Sequence, residues 1–308
     1  MTDQWIAMRD GTKVYGTSYT PETEPIGRVH IIHGLAEHSG RYKRFAQYLQ
    51  SQGYVVTLHD QRGHGKTAIE NGHVYGYIGE SATFDQLVDD VFEVNQCYQL
   101  HYPELPVVLL GHSMGSFVAR RYIQLYSQTI SKVILSGTGS NSEFTAHAAI
   151  ALAAYREDKF PKEQPDVFLN NLVFGNFPKQ FPDEGEFAWL SRDVESVADY
   201  EEDEACGFVP TSQLFRVLLE GMNSMEVPEF LLNIPNELPI LLLSGTDDLV
   251  GDRAKGVWKV AKQFDKANQQ QVTVQLYEGG RHEMLQETNY KQVYTTIVEW
   301  MKRHELTS

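Results

Sequence analysis

The feature that most constrains the fold of this chain is an apolar stretch, Pro106–Ser116, whose hydrophobic period changes in the middle. Val107–Leu110 is a continuous run of β-prone residues, which is typical of a parallel strand covered on both faces. After Gly111–Gly115 the apolar residues recur at helical spacing, through Phe117, Val118, Tyr122, Ile123 and Tyr126. The stretch therefore predicts a strand, a tight turn and a helix, which is the repeating unit of an α/β sheet.

Ser113 lies at the centre of that turn, in the sequence Gly111-His112-Ser113-Met114-Gly115. Glycine two residues to either side removes Cβ atoms that would clash, and the following helix presents free N–H groups and its positive dipole end. This pattern predicts a nucleophile elbow. A G-x-S-x-G string arises by chance roughly 0.1 times in a chain of this composition, so the flanking strand and helix carry the interpretation.

Length and composition indicate a soluble globular protein with one large core, with or without an insertion. The 308 residues are 42% hydrophobic and 22% charged, and no apolar run approaches the ~20 residues that span a bilayer. The N-terminal sequence has no apolar segment behind a basic start, so we expect a cytoplasmic protein without integral membrane association. Cys97 and Cys206 have no CxxC metal spacing, and a net charge of −15 argues against nucleic acid as a partner.

Strand and helix patterns alternate on both sides of Ser113. The expected strands are Trp5–Met8 and Lys13–Ser18, joined by a hairpin turn, then Val29–Ile32, Tyr54–Leu58, Lys132–Ser136, Leu238–Leu243 and Val272–Tyr277. The expected helices include Arg41–Gln52, Ser81–Tyr98 and Tyr290–Arg303. Together they predict an α/β fold, with a mostly parallel central sheet and helices on both of its faces.

The segment from Ser140 to Met225 has a different character. Strand alternation disappears, aromatic residues cluster, and 16 Asp/Glu stand against 6 Lys/Arg, a net charge of −10. We predict that residues 140–225 form an inserted, mainly helical lid, and that residues 1–139 and 226–308 form the two parts of the core. The acidic run Glu201–Glu204 is most simply a solvated surface.

Three strand ends carry a nucleophile, an acid and a histidine in the chain order of a serine hydrolase triad. Ser113 comes first, a turn after a later strand offers Asp247 and Asp248, and His282 follows the last strand. The carboxyl ends of parallel strands lie at one edge of a sheet, so these side chains should meet there. His304 also follows the acids, but it lies at the charged end of the terminal helix, so His282 is the predicted base.

A glycine-containing turn, His33–Gly40, follows another strand directly. In the functional interpretation, the backbone N–H groups of Leu35 and Met114 donate to the oxyanion that forms during acyl transfer. Taken alone, the stretch is better explained as an ordinary connection between a strand and a helix. His64, which has glycine on both sides, is interpreted as part of a tight turn rather than as a catalytic base.

These motifs together resemble the monoacylglycerol lipase branch of the α/β-hydrolase superfamily, which includes lysophospholipase and carboxylesterase relatives. The family's H-G-x-x-E-H-S-x-R-Y run is matched by His33–Tyr42, its D-x-R-G-H-G turn by Asp60–Gly65, its G-H-S-M-G elbow by Gly111–Gly115, its G-x-x-D turn by Gly245–Asp248 and its last histidine by His282. The G-x-x-D spacing implies that Asp248, rather than Asp247, is the acid of the triad. The likeness is weak across residues 140–225, the segment that sets substrate choice in relatives.

The resemblance implies a cofactor-free, metal-free serine hydrolase that cleaves carboxylic esters through an acyl-enzyme. Monoacylglycerols, lysophospholipids and short-chain esters are the expected substrates, and transient contact with lipid aggregates is compatible with them. Two alternatives stay open. One is an aminopeptidase of the same fold, whose lid acids would hold the α-ammonium group of a substrate, although the H-G-G-P-G loop of proline iminopeptidases is absent. The other is a non-catalytic binding protein, a class that commonly lacks a member of the triad. The oligomeric state is not predicted.

Overall fold

In the computed structural model, which describes residues 1–140 and 143–303, an eight-stranded sheet runs through the centre of the molecule. Its strands are β1 (Thr2–Ala7), β2 (Lys13–Tyr19), β3 (Gly27–Ile32), β4 (Tyr54–His59), β5 (Val107–His112), β6 (Lys132–Ser136), β7 (Ile240–Gly245) and β8 (Val272–Tyr277). Their order is β1-β2-β4-β3-β5-β6-β7-β8. Strand β2 runs antiparallel to both of its neighbours, and every pair from β4 to β8 is parallel. The predicted α/β fold is thereby confirmed.

Eleven helices connect the strands within the described ranges. They are α1 (Lys43–Ser51), α2 (Gly65–Glu70), α3 (Phe84–Gln99), α4 (Met114–Tyr126), α5 (Glu143–Lys159), α6 (Val167–Phe174), α7 (Val194–Glu202), α8 (Ser212–Met225), α9 (Pro228–Leu231), α10 (Lys255–Lys266) and α11 (Tyr290–Arg303). Single 3₁₀ turns lie at Ser39–Tyr42, Ser127–Thr129, Pro178–Gln180 and Met284–Gln286.

The differences from the predicted bounds have local causes. Helix α3 starts at Phe84 rather than at Ser81, because the Thr83 side chain caps it by accepting the Gln86 N–H. Strand β7 starts after Pro239, which has no N–H to give to the sheet. Strands β6 and β8 and helix α11 have the bounds that the sequence predicted.

Alternate residues of the central strands pack against helices on opposite faces of the sheet. In β5, Leu109 joins a core with α3, α4, α8 and α10, whereas Val108 and Leu110 join a second core with α1 and α11. All six residues of β5 are buried, which explains why its sequence is apolar without alternation. The two cores hold the carboxyl ends of β3, β5, β7 and β8 on one edge of the sheet.

The connection from β6 to β7 contains α5 to α9, so the segment predicted as a lid lies between two neighbouring parallel strands. Helix α8 packs on α3 and α4 and contributes Leu214 and Val217 to the main core. Helices α5 and α6 lie over α8, where Ala153, Leu169 and Phe215 form a small core of their own. The domain bounds given above stay a prediction.

A neighbouring pair of histidines, His30 of β3 and His59 of β4, is buried inside the sheet. The rings of His30 and His59 stack at a centroid distance of 5.0 Å, and His30 Nε2 lies 3.0 Å from His59 Nδ1. Burial, with a smaller contribution from His33, lowers the pKa of His59 to about 3. Because the unfolded chain binds a proton at this residue near its ordinary pKa and the folded chain does not, stability is lost as the pH falls below that value.

We expect His59→Gln to weaken the pH dependence of stability. Between about pH 7.5 and pH 5.5, the free energy of unfolding of the wild type should fall by about 1 kcal/mol more than that of the variant. Urea unfolding at both pH values measures the difference. His101→Gln, at an exposed position, is the control and should keep the wild-type pH dependence. Equal pH dependence in wild type and His59→Gln would contradict a buried, neutral His59.

Candidate active site

Ser113 occupies a strained turn between β5 and α4. Its φ is 50° and its ψ is −119°, and its N–H donates to the Ser136 carbonyl of the neighbouring strand at 2.9 Å. A Cβ atom on Gly111 would lie 2.1 Å from the Gly115 carbonyl oxygen, and one on Gly115 would lie 2.2 Å from the Ile32 carbonyl oxygen. The turn can therefore form only with glycine at both positions, and it presents Ser113 above the edge of the sheet.

Asp248 and His282 form a buried pair at the ends of β7 and β8. His282 Nδ1 lies 2.9 Å from Asp248 Oδ1, which also accepts the Val250 N–H at 2.9 Å. The other carboxylate oxygen accepts the Ser244 hydroxyl at 2.9 Å. Because the imidazole donates Nδ1–H to the carboxylate, its Nε2 is left as a proton acceptor. Asp247, in contrast, is partly exposed, and its N–H donates to a backbone carbonyl.

In this pair, each residue favours the charged form of the other, whereas burial disfavours both charged forms. Burial opposes the charged imidazole, but Asp248 outweighs it and raises the pKa of His282 above the ordinary value. Burial likewise opposes the Asp248 carboxylate, yet His282 and Ser244 hold the pKa of Asp248 below its usual range. The neighbouring His112, whose ring is 4.7 Å from that of His282, has its pKa lowered to about 4, by burial first and then by His282. Only one of the two imidazoles is therefore readily protonated.

The two predicted oxyanion donors belong to residues that line the same cavity as Ser113. Met114 is the first residue of α4, so its N–H is one that the helix cannot satisfy internally. Leu35 follows β3, the strand next to β5, and a Cβ atom on Gly34 would lie 3.2 Å from Ser113 Cβ. Leu35, Met114, Ser113 and His282 all line one cavity. The structure thus brings together every residue that the sequence assigned to the site.

That cavity has a volume of about 600 Å³ and a mainly apolar wall. The Trp189 ring lies 5.4 Å from the His282 ring, and Phe174 and Phe177 pack on Trp189. Two other aromatic residues of the segment lie elsewhere: Phe181 beneath the Arg281 guanidinium at 4.0 Å, and Phe168 beneath the Arg156 guanidinium at 4.7 Å. Further apolar lining comes from Phe117, Leu169, Val173, Phe187, Phe208, Val209, Phe215, Leu218, Leu219 and Met222.

Sequence reasoning missed three charged residues beside the site: the buried Glu37 and Glu283, and Arg41, which is partly buried between them. Two of them stand in the matched run His33–Tyr42, and the third follows His282 directly. Their position in those motifs was the available signal. Charged residues are usually exposed, so a charged residue in a sequence motif does not by itself indicate a buried cluster.

Two other histidines have structural partners. His64 is fully buried, and its Nδ1 lies 2.8 Å from the Arg62 carbonyl, consistent with the predicted tight turn. His38 lies with Asp203 and Cys206 in a group whose potential ligand atoms are within 4.8 Å of one another. However, His38 Nδ1 accepts the Gly40 N–H, so its Nε2 carries the proton and donates to Asp203 at 2.9 Å. That arrangement satisfies His38 without a metal ion. His304, the alternative base, lies outside the described residues.

Among residues 1–140 and 143–303, no helix combines the length and the apolar character that a membrane crossing requires.

Comparison with known proteins places this geometry among hydrolases. Residues 23–289 match the sequence model of a hydrolase family described as serine aminopeptidase, S33. The chain is 28% identical to a monoacylglycerol lipase of Mycolicibacterium smegmatis, over 96% of this chain and 94% of that protein. It is 28% identical to a monoglyceride lipase of Homo sapiens, over 97% and 90%. The crystal structure of a thermostable carboxyl esterase from Bacillus coagulans superimposes with a TM-score of 0.89 at 26% identity, covering 98% of this chain and 97% of that one.

We expect Asp248→Asn, but not Asp247→Asn, to lower the pKa of His282. Without the Asp248 carboxylate, burial is opposed only by the smaller effects of Glu283 and Glu37, so the pKa of the imidazole should fall. An NMR titration of ¹³C-labelled histidine measures the shift, and His282→Gln identifies the resonance. A shift in Asp247→Asn with none in Asp248→Asn would move the acid by one residue.

Proposed function

Since the chain belongs to the α/β-hydrolase family described as serine aminopeptidase, S33, and is a serine hydrolase of the monoglyceride lipase and esterase kind, we propose that it hydrolyses carboxylic esters carrying one apolar acyl chain. Monoacylglycerols and lysophospholipids are of this class. The observation that carries the proposal is the position of Ser113, on a strained elbow at the wall of an apolar cavity that it shares with His282. No cofactor takes part in the proposed reaction.

The reaction proceeds in two halves. The Ser113 oxygen attacks the ester carbonyl carbon while Nε2 of His282 takes the hydroxyl proton, and the carbonyl oxygen becomes an oxyanion facing the N–H groups of Leu35 and Met114. The intermediate collapses, the C–O bond to the alcohol breaks, and His282 returns the proton to the leaving oxygen. Water then attacks the acyl-enzyme in the same way and releases the acid. Asp248 keeps the imidazole in the required tautomer throughout.

We propose that residues 140–225 act as the lid of this cavity. In support, Phe174 of α6 and Trp189 line the cavity, whereas Glu201 and Glu202 of α7 are exposed. An apolar inner surface with acidic residues facing water suits an acyl chain. The outer face of α6 is apolar too, with Phe168 52% exposed, which supports contact with lipid aggregates that carry the substrate.

The family's description, serine aminopeptidase, keeps the aminopeptidase alternative open. Such an enzyme needs a free carboxylate to bind the ammonium group of its substrate. Four acids line the cavity. Glu37 and Glu283 are both bonded to Arg41, and Glu186 and Asp252 are exposed, where a salt bridge contributes little. The charges at the cavity therefore favour the ester substrate.

We expect Ser113→Ala to lower kcat by ~10⁴- to 10⁶-fold, because removing the nucleophile eliminates the acyl-enzyme route. Hydrolysis of a nitrophenyl ester measures the loss, and mass spectrometry of the fluorophosphonate-treated wild type should locate the label on Ser113. Ser116→Ala, one helical turn away, is the matched control and should retain labelling. Residual activity within tenfold of wild type in Ser113→Ala would end the assignment.

We expect kcat/KM to rise with acyl length up to the limit of the cavity. Each methylene transferred from water contributes ~0.8 kcal/mol, or about a fourfold gain. Nitrophenyl esters of graded length, monoacylglycerols and lysolipids form the test panel, with aminoacyl anilides as the contrasting set. A flat response to acyl length, together with cleavage of anilides that disappears when the amine is blocked, would favour the aminopeptidase.

A further inference from the structure

A cluster of three charged side chains lies at one wall of the site. The Arg41 guanidinium donates to both carboxylate oxygens of Glu283, at 2.5 and 2.8 Å, and to Glu37 at 2.9 Å. The side chains of Arg41, Glu37 and Glu283 are 10%, 3% and 6% exposed. One cation thus holds two carboxylates in an environment that is nearly free of water.

The Glu37 end of the cluster holds the loop of the oxyanion donor. Its Oε1 accepts the Gly34 N–H at 2.5 Å and the Tyr42 hydroxyl at 2.7 Å. Gly34 immediately precedes Leu35 and lies against Ser113. The direction of the Leu35 N–H therefore depends on where the Glu37 carboxylate is held.

The Glu283 end holds the loop of the catalytic base. Glu283 follows His282 in the chain, and its N–H donates to the Leu190 carbonyl of the lid segment at 2.7 Å. With its backbone bonded to Leu190 and its carboxylate bonded to Arg41, the residue next to His282 is held from two sides. The height of the imidazole above Ser113 depends on both contacts.

The cluster is not explained by stability alone. Removing charges from water costs about as much free energy as their pairing returns, so a buried ion pair often contributes little net stability. Burial opposes the charged form of Glu37, but Arg41 foremost, then His112 and His33, keeps its pKa below the ordinary value. The same surroundings, Glu283 first, raise the pKa of Arg41. Arg41 and Glu37 therefore stay charged, and the fixed geometry of the cluster is what the site gains.

We propose that Arg41 is a positioning residue, which sets the distance between the oxyanion loop and the histidine loop by binding Glu37 and Glu283 with one planar guanidinium. This inference rests on the proposed function, because it assigns those two loops their catalytic roles. A guanidinium offers a rigid fork of donors, whereas an ammonium is a point charge without that directional pattern. Arg41→Lys therefore keeps the charge and removes the geometry.

The test compares Arg41→Lys with Arg44→Lys. Arg44 lies three residues further along the same segment, is exposed, and bonds Gln286 instead. We expect Arg41→Lys to lower kcat for nitrophenyl esters about 10- to 100-fold with KM within threefold of wild type, because displacement of catalytic groups slows the chemical step more than binding. The rate of fluorophosphonate labelling of Ser113 should fall by a similar factor. Arg44→Lys should stay within twofold of wild type in both assays.

Glu283→Gln provides a second route to the same answer. It removes one partner of Arg41 while preserving the shape of the side chain, and it should lower kcat several-fold. If Arg41 acts through Glu283, the double variant Arg41→Lys/Glu283→Gln should have a kcat little lower than that of Arg41→Lys alone, since two changes in one network are not additive. Thermal unfolding of each variant shows whether it is folded at the assay temperature.

Two results would overturn the proposal: a folded Arg41→Lys with wild-type kcat and labelling rate, or fully additive losses in the double variant. The labelling assay needs no ester substrate. If the wild type cleaves no ester of the panel but is labelled at Ser113, the proposed function fails, and the labelling rates still decide the role of Arg41.

Discussion

The approach of the α4 backbone to the end of β3 is the contact on which the site depends. Gly115 lies so close to the Ile32 carbonyl that any Cβ would overlap it, and the same holds between Gly111 and the Gly115 carbonyl. This proximity forces Ser113 into a positive φ, and the Met114 N–H that follows it is the first of α4. Packing of β5 between two cores, which bury both of its faces, stabilises the strained turn at its end. The turn at Ser113 and the approach of Gly34 to it are thus consequences of one packing arrangement.

Two sets of charged groups lie around the candidate site: the His282–Asp248 pair, and Arg41 with Glu37 and Glu283. His282 and Asp248 share one hydrogen bond and shift each other's pKa toward the charged pair, which suits a base that must receive a proton. The pKa of Glu37 is held below its ordinary value and that of Arg41 is raised, so these two residues remain charged near neutral pH. The His282–Asp248 pair is therefore suited to proton transfer, whereas the Arg41 cluster is proposed to position the loops on which His282 and Leu35 lie.

The segment proposed as the lid is hydrogen-bonded to the core on one side of the cavity. Arg281 donates to the carbonyls of Ala188 and Ser191, at 2.7 and 3.3 Å, and the Tyr200 hydroxyl donates to the Ala36 carbonyl at 3.0 Å. These bonds join the lid to the histidine loop and to the oxyanion loop. Helix α6 packs through the cluster of Ala153, Leu169 and Phe215 and through Phe174 on Trp189, and it exposes its outer face.

The sequence by itself determined the order of strands and helices, the glycine-flanked position of Ser113 and the choice of His282, because these depend on local periodicity and on where each strand ends. From the residues alone, both Asp247 and Asp248 were available, and only the resemblance favoured the second. The tertiary structure places Asp248 against His282, since the direction of a side chain in a turn depends on the packing around it. It alone decided that Arg41 joins Glu37 to Glu283, residues 246 positions apart in the chain, because an ion pair between distant loops leaves no periodic pattern in a sequence.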